Sequence, residues 1–327
     1  MADSADSDLR AGSSSATPSF ALEKKAKAKA QPPNAWRRLL RIPTAKVALV
    51  VLAVIVLAAI FGPMLLPESY RELTANQFAP PSLKHPFGTD LNGRDVFFRV
   101  LAGARISLLV GISGALVSLF VGTAYGLVAG YSGGRLDAAM MRAVEILYSV
   151  PRLIIIMLAI YIYDPILKKQ LGEIGLNSLT EQSRVIILVL CLGLIEWLTM
   201  ARIVRGQVLS LKSQQFIMAA RSLGQTHAKI LTRHLLPNLL GVVIVYLTLA
   251  IPAVILDESF LSFLGLGVQA PQASWGALLS DGAQVINPIR SNWWLLVFPA
   301  LAMSSTLLSL NFLGDALRDA LDPRARR

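Results

Sequence analysis

The sequence predicts an all-α, polytopic membrane protein with six spanning helices. Of its 327 residues 54% are hydrophobic, and only 16% are charged, against roughly 25% in soluble domains. The apolar residues gather into runs long enough to cross about 30 Å of hydrocarbon, which takes about 20 helical residues. Mean hydropathy is +0.57. The net charge of +11 does not indicate nucleic acid, because no Lys/Arg stripe is interleaved with aromatic residues as a base-stacking surface requires.

Residues 1–43 ("AGSSSATPSF", "KKAKAKAQPP") carry too little apolar surface to offset the entropy of ordering, and a disordered basic tail is expected. Residues 44–327 form one membrane domain. Its spans are predicted at 45–65, 106–129, 138–162, 184–204, 236–257 and 292–314. The first is too long for a signal-peptide core and ends "FGPMLLPESY", so it reads as a retained anchor. In the second, Gly122, Gly126 and Gly130 recur four apart on one face, as helices in lipid require for close approach. The third is interrupted by Glu145, Pro151 and Arg152; Arg142 and Glu145 are expected to pair near its inner end, with a kink at Pro151.

Glu196 interrupts the fourth span. A charge at that depth is costly enough to be a functional candidate, here for lining a water-filled path, with a hydrogen bond to a neighbouring helix as the structural alternative. Asp257 and Glu258 close the fifth span, where water is expected to reach them. Asp90, Arg94, Asp95, Arg99 and Arg105 alternate in sign before the second span and predict a solvated, salt-bridged amphipathic element, with direct substrate contact as the lower-ranked alternative and Arg105 at headgroup level. With the N-terminus inside, the inner segments collect about twenty Lys/Arg and the outer loops about nine, which places both termini in the cytoplasm.

The inner segment between the fourth and fifth spans contains "MAARSLGQTHAKILTRHLLPN", Met218 to Asn238. Phe216, Ala220, Leu223, Ile230, Leu231 and His234 fall on one helical stripe, with Arg221, Gln225, Lys229 and Arg233 largely off it. Gly224 interrupts this helix, predicted over 212–235, and signals a bend or a close backbone approach. Pro237 is expected in the first turn of the next span. The pattern alone fits equally a helix lying in the lipid interface and one docked to a soluble partner.

These residues resemble the EAA loop of the membrane subunits of ATP-binding-cassette importers. Ala219, Ala220, Gly224, Leu236 and Pro237 match its two alanines, glycine and Leu-Pro, while Met218 stands where the family carries Glu. "HPFGTDLNGRDVFFRVLAGARISLLVG", "SFLGLG", "SWGALL" and "LGDALRDALDP" extend the likeness from about residue 80 to the end, and are similar to the second permease of the peptide and nickel branch. Two outer segments depart from it: "QAPQASWG", where relatives usually carry a proline pair, and the longer, more polar "KKQLGEIGLNSLTEQS".

The resemblance implies the type I importer permease fold in a bacterial cytoplasmic membrane. It implies a companion permease, two ATPase subunits and an extracytoplasmic binding protein as partners, besides the membrane lipid. The implied cargo is a di- or oligopeptide, with nickel chelates, glutathione-like compounds and other small solutes also open. It assigns ATPase coupling to Phe216, Ala219, Ala220, Leu223, Gly224, Leu236 and Pro237.

No Gly-x-x-x-x-Gly-Lys-Ser/Thr loop is present, so ATP hydrolysis is expected on partner chains. His85, His227 and His234 make no metal set, Cys191 is the single cysteine, and no nucleophile stands beside a base in a recognisable motif; no enzyme activity, metal or cofactor is expected. A secondary transporter and a membrane scaffold rank below the importer, the first because no inverted repeat of interrupted helices is visible.

Overall fold

The computed structural model describes residues 38–65, 74–269, 272–286 and 291–321, so residues 1–37 of the tail predicted over 1–43 lie outside the described residues. Among those described it is helical, with one isolated β-bridge, Thr89 to Asp95. Ten helices follow in order. They are α1 (Pro43–Leu65), α2 (Val96–Ser132), α3 (Gly134–Ser149), α4 (Arg152–Glu173), α5 (Asn177–Thr180), α6 (Ser183–Lys212), α7 (Gln215–Ser222), α8 (His227–Phe263), α9 (Trp275–Val285) and α10 (Trp294–Leu321). Helices α1, α2, α6, α8 and α10 are long and apolar enough to cross a membrane, and the bent pair α3–α4 makes a sixth span if counted as one.

Helix α2, 37 residues and roughly 55 Å long, is the axis of the bundle. Asp95 starts it by accepting the Phe97 N–H at 2.8 Å, and Gly133 ends it with φ 67°, its N–H donating to the Ala129 carbonyl. Its Gly122, Gly126 and Gly130 face α6 within this chain's own bundle. A Cβ on Gly122 would stand 2.6 Å from that of Met200, and one on Gly130 would stand 2.8 Å from that of Val208. Gly193 of α6 answers them, since its Cβ would stand 2.6 Å from that of Val117.

The third span is broken more sharply than a kink. Val150 is extended, the conformation favoured before proline, and Pro151 has no N–H to continue the ladder, so α3 and α4 meet at 81°. Arg142 and Glu145 do pair, at 3.5 Å on the exposed face of α3.

The span predicted at 236–257 has its regular α-helical part begin at Leu236 with Pro237 in the first turn, as expected, but helix continues back to His227 through a π-helix, Ile230–Leu235. Asn238 Nδ2 donates to the His234 carbonyl at 2.6 Å in that segment. The far end runs on to Phe263 and is covered by the start of α9, so Asp257 and Glu258 are buried rather than bathed in water.

The loop before α2 is not the solvated amphipathic element expected. It folds against α9 and α10, burying Asp90 and Arg99. Asp90 accepts the Asn92 and Arg94 N–H groups at 2.8 Å each, and Arg99 bridges Asp90 at 2.6 Å and Asp281 of α9 at 3.0 Å. Order also begins earlier than residue 44: Leu39, 1% exposed, packs with Ala45 against Ala316 and Ala320 of α10.

The seam gives a direct contrast. Gly126→Leu, whose Cβ would meet the Ala201 carbonyl oxygen and Val204, should destabilise the bundle by about 1–3 kcal/mol. Gly206→Ala, with nothing within 4 Å, should be neutral or stabilising by at most about 1 kcal/mol. Thermal unfolding in mild detergent measures both.

Candidate functional site

Two places in this bundle hold chemistry that packing alone does not require. The first is the end carrying α7. Residues 212–235, expected as one helix, form two: α7 stops at Ser222, the chain turns at Gly224 with φ 70°, and α8 starts after Thr226. The turn throws the helical count out of phase. Ala220 and Ile230 remain inward, together with Ile217 and Leu235, which the stripe omitted. Phe216 and Leu223, placed on the stripe, point outward at 41% and 79% exposure, and Met218 is 50% exposed. Ala219, Gly224 and Pro237 are exposed as well, whereas Leu236 is half-buried against the core around Val204 and Ile217. A Cβ on Gly224 would meet nothing within 4 Å, so the glycine answers to the turn and not to a close neighbour inside this chain.

Tyr131, one residue from the end of α2, joins this region to the bundle. Its hydroxyl shares a hydrogen bond with His227 Nδ1 at 2.7 Å, its carbonyl accepts Lys212 Nζ at 2.6 Å, and the Arg221 guanidinium lies 5.2 Å from its ring centroid. Residues of α6, α7 and α8 thus converge on one residue of α2. Nearby, Arg205 of α6 grips Asp137 of α3 with two bonds, 2.5 Å from Nε and 2.7 Å from Nη2. No local pattern marks Tyr131, because its partner His227 is 96 residues away in the chain.

The second place lies near the middle of α6. Glu196 Oε1 is 3.4 Å from Arg152 Nη1, and Arg152 Nη2 is 2.9 Å from Asp257 Oδ1. The two carboxylate side chains are mostly covered, whereas that of Arg152 is 53% exposed. Arg152 is the first residue of α4, so the 81° break sets it between α6 and α8. Beside it a cavity of about 740 Å³ opens between the α3–α4 break and α6, walled by Ile155, Tyr163, Leu190, Cys191 and Leu194, with Arg152 and Glu196 among its lining. A second cavity, about 190 Å³, borders Glu196 together with Ser118, Thr199, Tyr246 and Ala253.

Asp257 was expected in water and Arg152 was read only as an interruption. Their meeting with Glu196 depends on a contact between three helices that no spacing encodes. Glu258, next to Asp257, belongs to a different arrangement. It is fully buried and accepts hydrogen bonds from Ser107 of α2 at 3.0 Å and Ser262 at 2.6 Å, while Trp275 N at the start of α9 donates to Ser107 Oγ. Among the described residues no cluster of His, Cys, Asp and Glu is placed to hold a metal ion.

The family model for the binding-protein-dependent transport system inner membrane component matches residues 122–327. A second, for the N-terminal TM domain of oligopeptide transport permease C, matches residues 34–81. The dipeptide transport system permease protein DppC of Bacillus subtilis (strain 168) is 44% identical over 295 residues, which are 90% of this chain and 86% of that one. The oligopeptide transport system permease protein OppC of Escherichia coli (strain K12) is 45% identical over 296 residues, 90% of this chain and 91% of that one. Among solved structures, inward-facing MetNI methionine ABC transporter aligns at 19% identity with a TM-score of 0.48, covering 69% of this chain and 98% of that one. With its apolar helices, the family-model match over residues 122–327 and relatives at 44% and 45% identity over 90% of its length, the chain is a multi-pass membrane protein that belongs to the family of binding-protein-dependent transport system inner membrane components.

Proposed function

We propose that this chain is a permease subunit of an ATP-driven importer that carries di- or oligopeptides across a bacterial cytoplasmic membrane. One observation carries the reading: α7 and its turn present Phe216, Met218 and Leu223 outward, while Ile217 and Ala220 fasten the same segment to the bundle. An anchored helix with an apolar outer face is what a docked partner covers, and apolar side chains anchor such contacts. The peptide cargo is supported by the names of relatives at 44% and 45% identity.

In this reading α7 and Gly224 seat in a cytoplasmic ATPase. Two such subunits, a companion permease and an extracytoplasmic binding protein complete the importer, which sits in membrane lipid with both termini of this chain cytoplasmic. ATP is hydrolysed on the partners. Nucleotide-driven movement of α7 reaches α2, α6 and α8 through Tyr131, and the path itself runs past Glu196.

Purification of the tagged chain from its host in mild detergent, with its companions identified by mass spectrometry, tests the assembly. A second permease with ATPase subunits is the expected result, and this chain alone, folded, is the one that overturns it. Gly224→Glu should abolish ATP-driven uptake without lowering the amount of protein in the membrane, and normal uptake by that variant would sink the docking reading. Tyr131→Phe removes the hydroxyl bond to His227 but keeps the ring beneath Arg221. It should lower the peptide carried per ATP hydrolysed by about fivefold, as expected for loss of about 1 kcal/mol of hydrogen bonding in the linkage. Parallel uptake and ATPase assays on proteoliposomes read that ratio.

A further inference from the structure

The group around Arg152 is out of balance. One guanidinium serves two carboxylates, Glu196 and Asp257, which leaves a formal charge of −1 on the group. The next cation along α6, Arg202, is stacked 3.9 Å over the Tyr148 ring and makes no ion pair among the described residues. An uncompensated charge near mid-span is costly and persists where something uses it.

The surroundings show that this place is open. Ser149, Val150, Pro151 and Arg152 interrupt the helix at the level of Glu196 and are all exposed. Backbone of that kind is tolerated at membrane depth only when protein covers it or it lines a water-filled space, and these four residues line the cavity of about 740 Å³. That volume lies within the range of small-molecule sites, roughly 300–1,000 Å³, and its wall is mostly apolar, with Gln170, Tyr148 and Tyr163 as polar groups besides the charged pair and the break. The vacancy in charge therefore calls for a cation attached to apolar bulk. Among the described residues no set is placed for a metal ion.

We infer that Glu196, backed by Asp257 across Arg152, receives the α-ammonium of the passing peptide, whose side chains lie along the cavity between α4 and α6. This rests on the importer reading above and adds to it a discriminating contact in the membrane. Glu196 borders both cavities, so an ammonium held there is handed along α6 rather than trapped. Arg152 keeps the carboxylates from repelling each other when the site is empty.

The complete importer, in proteoliposomes with its binding protein, is given trialanine and, separately, propionyl-alanyl-alanine, which lacks only the ammonium. Absence of ATP-driven trialanine uptake by the unmutated complex counts against the importer reading itself. The inference is judged on complexes that transport. The binding protein is the same throughout, so a change in the preference between the two compounds reports on this chain.

Glu196→Gln and Asp257→Asn should each cut the preference for trialanine by about tenfold, the loss expected for one hydrogen bond to a charged group, while ATP hydrolysis stimulated by the binding protein persists. Asp257→Glu should restore it. An unchanged preference in both variants overturns the inference. A tripeptide with a diazirine on its first side chain, photolysed during turnover of the unmutated complex, gives a readout that needs no variant. Cross-links within residues 149–155 or 194–198 are expected. Labelling confined to other segments, or a cavity found filled during turnover by lipid or by a helix of the companion permease, overturns it as well.

Discussion

The close approach of α2 and α6 is the contact on which the rest of the structure depends. Lipid tails are as apolar as leucine, so helices in a bilayer gain nothing by hiding apolar surface from one another, and their association rests on packing and polar contacts. Gly114, Gly122, Gly126, Gly130 and Gly193 bring the two backbones near enough for such packing along most of their length. Both candidate sites are positioned from that pair. Arg205 and Lys212 of α6 reach Asp137 and Tyr131 at one end, and Glu196 stands halfway along. At the other end of α2, Arg99 and Ser107 tie in α9 and the loop before α2.

Charge within the bundle is handled in two contrasting ways. Glu258 is closed off from solvent and supplied with serine hydroxyls from its own helix and from α2, which also take in the backbone at the start of α9. A satisfied buried network of this kind specifies how the helices fit, and leaving any member without its partner is expensive. The Arg152, Glu196 and Asp257 group has opposite properties: two carboxylates share one exposed guanidinium at a helix break, and Arg152 and Glu196 line a cavity. The adjacent positions 257 and 258 point into these two environments because neighbours on a helix face different directions.

Helix α8 links the two sites physically. It begins beside α7, passes through the π-helical turn Ile230–Leu235, and carries Asp257 near its far end. A π segment is a place where helical geometry is already adjusted, and one next to Pro237 lets the first turns of α8 follow α7 while the remainder stays packed on α2. In the importer reading, a displacement at α7 is delivered through Tyr131 and α8 to the level of the charged group. Energy supplied at one face thereby changes what the cavity presents.

The sequence by itself determined the membrane class, the spans, the glycine seam and the location of the α7 segment. These follow from local quantities: apolar run length set against bilayer thickness, the four-residue recurrence of glycine, and a proline that cannot extend a helix. Glu196 was legible as a candidate because a carboxylate inside an apolar run stands out in any window. Only the tertiary structure decided the outward turn of Phe216 and Leu223, since a positive φ at Gly224 breaks the phase on which the stripe was counted. It alone brought Tyr131 to His227 and joined Arg152, Glu196 and Asp257, because those contacts close between separate helices and depend on their crossing. The burial of Asp90, Arg99 and Glu258 was decided the same way, as a charge is buried by whatever folds over it, which its own neighbours in the chain do not encode.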